Sequence, residues 1–284
     1  MKLRFKISTK SKIIALCLSC FSVTFLGVNI YQNQHVQLNQ MTITSEHLPD
    51  DFANYKIAHI SDLHNAEIGD GNEKILSSIK ESSPDIIVIT GDIIDSRRTD
   101  VQVAVDFINK SAEIAPVYYV TGNHESRVGT ENHIDNFQLN ENITILHNQN
   151  VLLQKGESEI QLIGVDDPNF AGAINSTEYM NDELEKYSDN EHFKILLSHR
   201  PELFETYVEN NMDIVFSGHA HGGQFRLPFV GGIFAPHQGL FPEYDSGIYT
   251  EINTNMIVSR GIGNSLFPFR INNPPEIIIV TLEN

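Results

Sequence analysis

Cysteine is almost absent from this chain of 284 residues, and both cysteines, Cys17 and Cys20, lie in one apolar N-terminal segment. The rest of the sequence therefore has no disulfide, no thiolate metal ligand and no thiol nucleophile. Internal repeats at a period of roughly 20 to 50 residues are absent as well, which excludes solenoids and propellers. At this length, the sequence predicts one folded domain behind an N-terminal leader.

Basic residues are scarce outside the N-terminus. The chain has 19 lysines and arginines against 37 acidic residues, and its formal net charge is −18. Five of the cations are Lys2, Arg4, Lys6, Lys10 and Lys12, so the remainder carries 14 − 37 = −23. A domain this acidic lacks the basic stripe that duplex nucleic acid requires, and we expect no nucleic-acid partner. It would also repel a phosphorylated substrate unless bound cations reverse the local field.

An uncharged apolar segment, residues 13–31, follows these cations. At about 1.5 Å per residue, it spans roughly the hydrocarbon core of a bilayer. The preceding cations predict a cytoplasmic N-terminus and a single-pass cell-membrane protein whose acidic domain is extracytoplasmic. A cleaved signal peptide, which would give a secreted protein, is the alternative, although no small-x-small cleavage pattern follows the segment. We divide the chain into a basic tail and transmembrane anchor (1–31), a polar tether (32–40) and a folded domain (41–284).

The folded domain is predicted to be α/β, with two packed mixed β-sheets flanked by helices. Strands alternate with helices in its first half and pair with each other in its second half, which is the pattern of two layered sheets. Helices are expected near 72–82, 100–114, 131–139, 176–187 and 201–209. A Gly-, Pro- and Phe-rich segment, 222–244, is expected to be irregular.

Five short strands of this domain lead directly into polar side chains. Continuous apolar runs rich in β-branched residues predict strands buried on both faces. The residues that follow them are Asp62 and His64, Asp92, Asn123 and His124, His199, and His219 and His221. Because the functional crevice of an open α/β sheet lies beyond the carboxyl ends of its strands, we expect these side chains to gather at one edge.

The expected cluster combines carboxylates, imidazoles and one amide oxygen. Asp62 and His64, like His219 and His221, have the i, i+2 spacing that points two side chains the same way along an extended segment. The set is larger than the four ligands of one tetrahedral zinc, and it indicates two divalent ions of the Mn, Fe or Zn type. Asp92, from the centre of the sheet, is the natural bridge between them.

These motifs resemble the five ordered motifs of the calcineurin-like metallophosphoesterases: Asp62-x-His64, Gly91-Asp92-x-x-Asp95, Gly122-Asn123-His124-Glu125, Ser198-His199 and Gly218-His219-x-His221. Their flanks are more similar to a bacterial exported or membrane-attached subgroup, the YkuE/YaeI-like phosphoesterases. The resemblance covers roughly residues 41–282 and implies the αββα sandwich of that family. It implies one metal held by Asp62, His64, Asp92 and His221, and a second held by Asp92, Asn123, His199 and His219. It also implies that His124, oriented by Asp95, is a general acid or transition-state stabiliser.

The resemblance implies a dimetal phosphoester hydrolase, of phosphodiesterase or pyrophosphatase type, in which metal-activated hydroxide attacks phosphorus. Together with the anchor, it favours a phosphoester linked to a lipid or to the cell wall, met outside the cytoplasm. Two alternatives stay open: a phosphomonoesterase or nucleotide hydrolase, and a non-catalytic metal-binding scaffold. Candidate phosphate-binding residues are Arg200, Arg226, Arg260 and Arg270, although local pairing is the commoner role of such arginines.

Overall fold

The computed structural model describes residues 8–188 and 191–284, so Lys2, Arg4 and Lys6 of the expected cytoplasmic tail lie outside the described residues. The α-helices are α1 Thr9–Asn33, α2 Glu73–Ser82, α3 Val101–Ala112, α4 Ser176–Leu184 and α5 Phe204–Glu209. Short 3-10 helices lie at Asp50–Phe52, Glu125–Arg127, Thr130–Asn132, Ile134–Asn136, Glu185–Tyr187, Pro201–Leu203 and His221–Gly223.

The strands follow in chain order. The first nine are β1 Gln37–Thr44, β2 Lys56–Ile60, β3 Ile86–Thr90, β4 Val117–Val120, β5 Ile143–Ile145, β6 Gln149–Lys155, β7 Ser158–Gly164, β8 Phe193–Leu197 and β9 Ile214–Ser217. The others are β10 Arg226–Leu227, β11 Gly231–Gly232, β12 Phe234–Ala235, β13 Gly239–Leu240, β14 Gly247–Glu251, β15 Thr254–Val258 and β16 Glu276–Glu283.

Two mixed six-stranded sheets form the framework. The first has the order β1-β16-β2-β3-β4-β5, and β2 to β5 run parallel to one another. The second has the order β14-β15-β9-β8-β7-β6, and its four central strands are parallel. Within each sheet, the carboxyl ends of the parallel strands therefore lie at one edge, as the sequence predicts.

Three apolar layers hold the sheets and helices together. The middle layer joins the inner faces of the two sheets and includes Val88 of β3 and Phe216 of β9. One outer layer packs α2 and α3 on the first sheet, and the other packs α4 and α5 on the second. Fully burying an aliphatic or aromatic side chain contributes about 1.5 to 3 kcal/mol, so these layers dominate the stability of the domain. The predicted fold class, two mixed sheets flanked by helices, is confirmed.

The helix expected at 131–139 does not form. Two 3-10 turns, Thr130–Asn132 and Ile134–Asn136, occupy that stretch instead. Its Asn and Asp side chains bond readily to nearby backbone and so favour turns over helix. Within the two turns only Ile134 is buried, and one apolar contact is too little to hold a helix against the domain.

The long apolar helix α1 ends in contact with the domain. Asn33 Nδ2 donates to the carbonyl oxygen of Arg270 at 2.8 Å, and Asn33 Oδ1 accepts from the Arg270 N–H at 2.7 Å. Asn29 Oδ1 accepts from the Asn272 N–H at 3.1 Å. Because β1 begins at Gln37 and pairs with β16, residues 37–40 of the expected tether lie in the first sheet.

Candidate metal centre

One group of ligand atoms gathers Asp62, His64 and His221, all buried. The Nε2 atoms of His64 and His221 lie 3.1 Å apart. Asp62 Oδ1 lies 3.4 Å from His221 Nε2 and 3.8 Å from His64 Nε2. The structure therefore brings together residues from the ends of β2 and β9, which are far apart in the sequence.

A second group gathers Asp92, His199 and His219, which are also buried. His199 Nε2 lies 3.3 Å from Asp92 Oδ2 and 3.1 Å from His219 Nδ1. Asp92 Oδ2 is also 3.7 Å from His64 Nε2, so this oxygen lies between the two groups. The other oxygen, Oδ1, accepts the N–H of His124 at 2.6 Å, which fixes the orientation of the carboxylate.

The donor atoms fit divalent cations. Asn123 is buried, and its Oδ1 has no hydrogen-bond partner among the described residues. Leaving a buried carbonyl oxygen unpaired costs about 1 to 3 kcal/mol, and a cation would satisfy it. His199 Nδ1 lies 2.7 Å from the carbonyl oxygen of Thr90, which can only accept, so the proton is on Nδ1 and Nε2 is free to bind a metal.

The chain turns sharply at these candidate ligands. The φ angles of Asp62, His64, Asp92, His219 and His221 lie between 47° and 65°, a left-handed region that is uncommon for residues other than glycine. The sequence predicts extended i, i+2 pairs, and that prediction is wrong: these residues lie in left-handed turns. His219 and His221 consequently belong to different groups. Gly91 is required at its position, because a Cβ there would lie 2.5 Å from the Gly122 nitrogen and 2.9 Å from His199 Nδ1.

Asp92 and His199 stabilise each other's charged forms. Burial opposes ionisation of Asp92, but the neighbouring His199 outweighs it and holds the pKa of the Asp92 carboxyl well below its usual range. Burial likewise opposes protonation of His199, and the Asp92 carboxylate reverses that effect and raises the pKa of His199 to about 10. Without a cation, a proton on His199 balances Asp92; a bound cation would replace that proton.

Glu125 organises the backbone behind the centre, a role that the sequence did not reveal. Its buried carboxylate accepts the N–H groups of Asp92 at 2.9 Å, Gly122 at 2.7 Å and Ile94 at 3.1 Å. Burial and the Asp92 carboxylate raise the pKa of Glu125 to about 7. Its place directly after Gly122-Asn123-His124 was the available signal. These bonds tie the turn after β3 to the turn after β4.

His124 lies beside the centre with its ring oriented by Ser96. The Ser96 N–H donates to His124 Nδ1 at 3.0 Å, which leaves the proton of the neutral ring on Nε2. Asp95, the expected partner, is farther away, with Oδ1 at 3.5 Å from Nδ1, and it also binds the N–H of Arg97 and the side chain of Arg98. Burial lowers the pKa of His124 to about 4, so the ring is neutral at pH 7.

The four arginines considered from the sequence all bind protein groups. Arg200 is buried and bonds Asp167 through Nε and, at 2.9 Å, through Nη2. The others pair as Arg226 with Asp245, Arg260 with Glu276, and Arg270 with the carbonyl oxygens of Arg260 and Gly263. Their first role is therefore structural.

A cleft of about 230 Å³ opens above the two groups of candidate ligand atoms. Asp92, Asn123, His219 and His221 lie at its base with His124. Arg97 and Arg127, which the sequence did not single out, are exposed on its walls together with apolar side chains of the 234–237 and 265–267 segments. An anion entering this cleft meets two cationic side chains before it reaches the buried carboxylates.

Comparison with known proteins agrees with this geometry. A family model described as calcineurin-like phosphoesterase matches residues 55–223, a range that contains every member of the two ligand groups. The chain is 30% identical over 271 residues to the uncharacterized metallophosphoesterase YkuE of Bacillus subtilis, covering 91% of this chain and 90% of YkuE. It is 30% identical over 239 residues to phosphodiesterase YaeI of Escherichia coli, covering 82% and 84%. A transmembrane protein with metallophosphoesterase domain from Bos taurus is 28% identical over 251 residues, covering 83% of this chain and 54% of that protein.

Proposed function

This chain belongs to the calcineurin-like phosphoesterase family and is a hydrolase of phosphoesters, and from that premise we propose that it is a dimetal phosphodiesterase or pyrophosphatase of the cell envelope. The observation that carries the proposal is the position of Asp92. Its Oδ2 atom lies between two buried groups of ligand atoms, 3.3 Å from one and 3.7 Å from the other. A carboxylate in that position can bind both ions of a pair.

The proposed ligands divide between two divalent ions of the Mn, Fe or Zn type. The first would be held by Asp62, His64, Asp92 and His221. The second would be held by Asp92, Asn123, His199 and His219. Two bound ions would supply Lewis-acid activation of the phosphoryl oxygens and of the attacking water. The unpaired Asn123 oxygen gives the second set a neutral ligand, which leaves that set less negative toward an incoming phosphate.

His124 would act on the leaving oxygen. Its Nδ1 accepts from Ser96, so its Nε2–H is the donor, and Ser265 Oγ lies 3.2 Å from Nε2 at the wall of the cleft. A leaving-group oxygen that displaced this hydroxyl would receive a hydrogen bond from a ring already held in position. Arg97 and Arg127 would offset the charge of an acidic domain as the phosphate enters.

The membrane is the proposed location. Among the described residues, α1 is the one helix long and apolar enough to cross a bilayer, and the bovine relative is named as a transmembrane protein. The cationic residues before α1 favour a cytoplasmic N-terminus and an extracytoplasmic domain. We therefore propose a phosphoester substrate linked to a lipid or to another envelope component; release after signal cleavage is the alternative location.

The test uses the full chain purified without chelator. Metal analysis should find about two divalent ions per chain, and Mn²⁺ should stimulate hydrolysis of bis-p-nitrophenyl phosphate more than that of p-nitrophenyl phosphate. Asp92→Asn should abolish both metal retention and turnover, whereas Asp182→Asn, at an exposed site on α4, should change neither. Faster turnover of the monoester would favour a phosphomonoesterase. Retained metal without turnover of either ester would favour the scaffold function.

A further inference from the structure

Exposed apolar side chains are concentrated in the part of the chain that supplies the apolar walls of the cleft. They come from two segments, 225–241 and 264–271, which we call the apolar rim. Its most exposed members are Phe229 at 108% relative exposure, Leu240 at 69%, Leu266 at 65% and Phe241 at 62%. Soluble proteins rarely expose a contiguous patch of large apolar side chains, and such a patch marks a surface that contacts something apolar.

The apolar rim is continuous with the catalytic cleft. Phe234 comes from the first segment, and Leu266 and Phe267 come from the second; all three line the cleft with His124 and His219. Whatever covers the rim therefore also closes over the place where the ester is hydrolysed.

The apolar rim also adjoins the end of the membrane-span candidate α1. Asn33 and Asn29 of α1 bond Arg270 and Asn272, one residue either side of Ile271. The Ile271 carbonyl oxygen accepts the N–H of Arg226, at the base of the hairpin that carries Phe229, at 3.0 Å. The Phe225 ring packs on Phe267 and Phe269, with ring centroids 5.3 and 5.8 Å apart. The helix end, the hairpin and the second segment thus form one connected surface.

The charge of this surface differs from that of the rest of the chain. The chain has 37 acidic residues, yet none lies between positions 214 and 242 or between 252 and 275. Acidic side chains would be repelled by anionic lipid head groups, and this face presents none from either segment. Arginines at 97 and 127 stand on the walls of the cleft behind it.

We propose that the apolar rim contacts the bilayer that α1 crosses, and that the hydrolysed ester is carried by a membrane lipid. The proposal rests on the dimetal hydrolase and the anchor proposed above. Phenylalanine and leucine side chains beside a membrane helix enter the boundary between head groups and acyl chains. The cleft then opens at the depth of lipid head groups, with Phe234 and Phe267 beside the path of the lipid chains.

Tryptophan fluorescence tests the contact directly, because the chain has no natural Trp. We compare Phe229→Trp with Ile252→Trp in the full chain, reconstituted in phosphatidylcholine–phosphatidylglycerol vesicles with brominated acyl chains. Ile252 is a matched control, since both residues are exposed and apolar and have positive φ, 68° and 55°. Ile252 lies in the β14–β15 turn, at the end of the second sheet remote from the metal-binding groups.

The brominated lipids should quench the Trp at 229 and leave the Trp at 252 unchanged, whereas aqueous iodide should do the reverse. Equal access of iodide to both positions, without quenching by bromine at 229, would overturn the proposal. Protection of position 229 from iodide without quenching by bromine would also overturn it, in favour of a protein that covers the apolar rim.

A second measurement separates the effect of the apolar rim on lipid binding from the hydrolysis reaction itself. Phe229→Asn with Phe241→Asn removes two apolar tips that do not line the cleft, and asparagine tolerates their φ angles of 68° and 55°. Hydrolysis of phosphatidyl-p-nitrophenol in vesicles should fall about tenfold or more, as expected for losing the insertion of two aromatic rings. Hydrolysis of soluble bis-p-nitrophenyl phosphate should not change, and Ile252→Asn should change neither rate.

Equal rates for the double variant and the wild type on the vesicle-borne ester would refute a role of the apolar rim in reaching the lipid. A wild type that cleaves the soluble ester but not the vesicle-borne ester would refute the lipid-substrate inference. If the metal-loaded wild type hydrolysed neither ester, the proposed function itself would fail, while the quenching experiment would still report on the membrane contact. Cleavage of the soluble ester together with a water-exposed Trp at 229 would refute only the contact of the apolar rim with the bilayer.

Discussion

Replacing Glu125 by Gln should weaken metal binding although Glu125 is not one of the proposed ligands. The carboxylate receives three backbone N–H groups: Asp92 and Gly122 bind Oε2 at 2.9 and 2.7 Å, and Ile94 binds Oε1 at 3.1 Å. A Gln side chain can keep its oxygen at the first two donors, but its amide nitrogen then faces the Ile94 N–H. Even a protonated Glu125 could keep this hydrogen bond, because its single O–H can point away from the Ile94 N–H. The amide nitrogen of Gln carries two hydrogens and cannot accept, so it cannot keep the bond.

The magnitude follows from these bonds. A hydrogen bond to a charged acceptor contributes about 1.5 to 3 kcal/mol. Gln at this position loses one of the three bonds, and the other two become weaker because their acceptor is neutral. We expect the turn that carries Asp92 to shift, and groups that orient metal ligands typically change metal affinity by about 10- to 100-fold when mutated. The Mn²⁺ concentration that gives half-maximal turnover should therefore rise by that factor, and kcat at saturating Mn²⁺ should change much less.

Mn²⁺ titration of bis-p-nitrophenyl phosphate hydrolysis measures the effect. Glu81→Gln, at an exposed position on α2, is the control for loss of one negative charge. An unchanged Mn²⁺ requirement in a Glu125→Gln protein whose circular dichroism matches the wild type would refute the reasoning. So would a fall in kcat that saturating Mn²⁺ does not restore, because Glu125 would then act on the reacting groups.

Other changes should separate chemistry, substrate binding and stability. His124→Gln should lower kcat by about 10²- to 10⁴-fold with little change in Mn²⁺ affinity, and an equal loss of bound metal would argue against a donor role. Arg127→Ala should raise KM for bis-p-nitrophenyl phosphate more than it lowers kcat, and steady-state rates at rising ionic strength should show the difference shrinking. The hydrogen bond that His147 Nδ1–H donates to the Asp166 carboxylate is the main cause that raises the pKa of His147 to about 9. Its contribution to stability should therefore be complete below about pH 6.5 and be lost as the pH rises through about 9. The Tm difference between wild type and His147→Asn should be large at pH 6 and small at pH 10, and a difference independent of pH would contradict the ion pair.

The strand ends were predictable from sequence because their signal is local. An apolar run such as 86–90, followed by Gly91 and Asp92, predicts both the buried strand and the turn that places the carboxylate at its end. The parallel sheets then bring such ends together, and the structure indeed gathers both groups of ligand atoms. The left-handed turns could not be read in the same way, since Asp and His are ordinary residues of extended chain as well.

The supporting contacts were not predictable, because they join residues that are distant in the chain. Glu125 binds the backbone of Asp92, which is 33 positions earlier, and Ser265 lies beside His124 from 141 positions later. Arg200 could have faced the substrate, but the fold places Asp167 against it. Only packing decides such pairs, and one sequence contains no record of it. The helix predicted at 131–139 does not form for a local reason: its polar side chains favour turns, and its apolar pattern is too weak to oppose them.

With α1 as the proposed membrane anchor, its junction with the domain would limit where this enzyme can work. A loose linker of nine or so residues would let a hydrolase sweep through a layer about 15 Å or more above its membrane and sample soluble polymers there. Here two asparagines of α1 form hydrogen bonds with the 270–272 segment, and β1 begins at Gln37, close after the helix ends at Asn33. With α1 in a bilayer, the domain would turn and drift only as the helix does, so its search for substrate would be two-dimensional and confined to molecules that come to the surface.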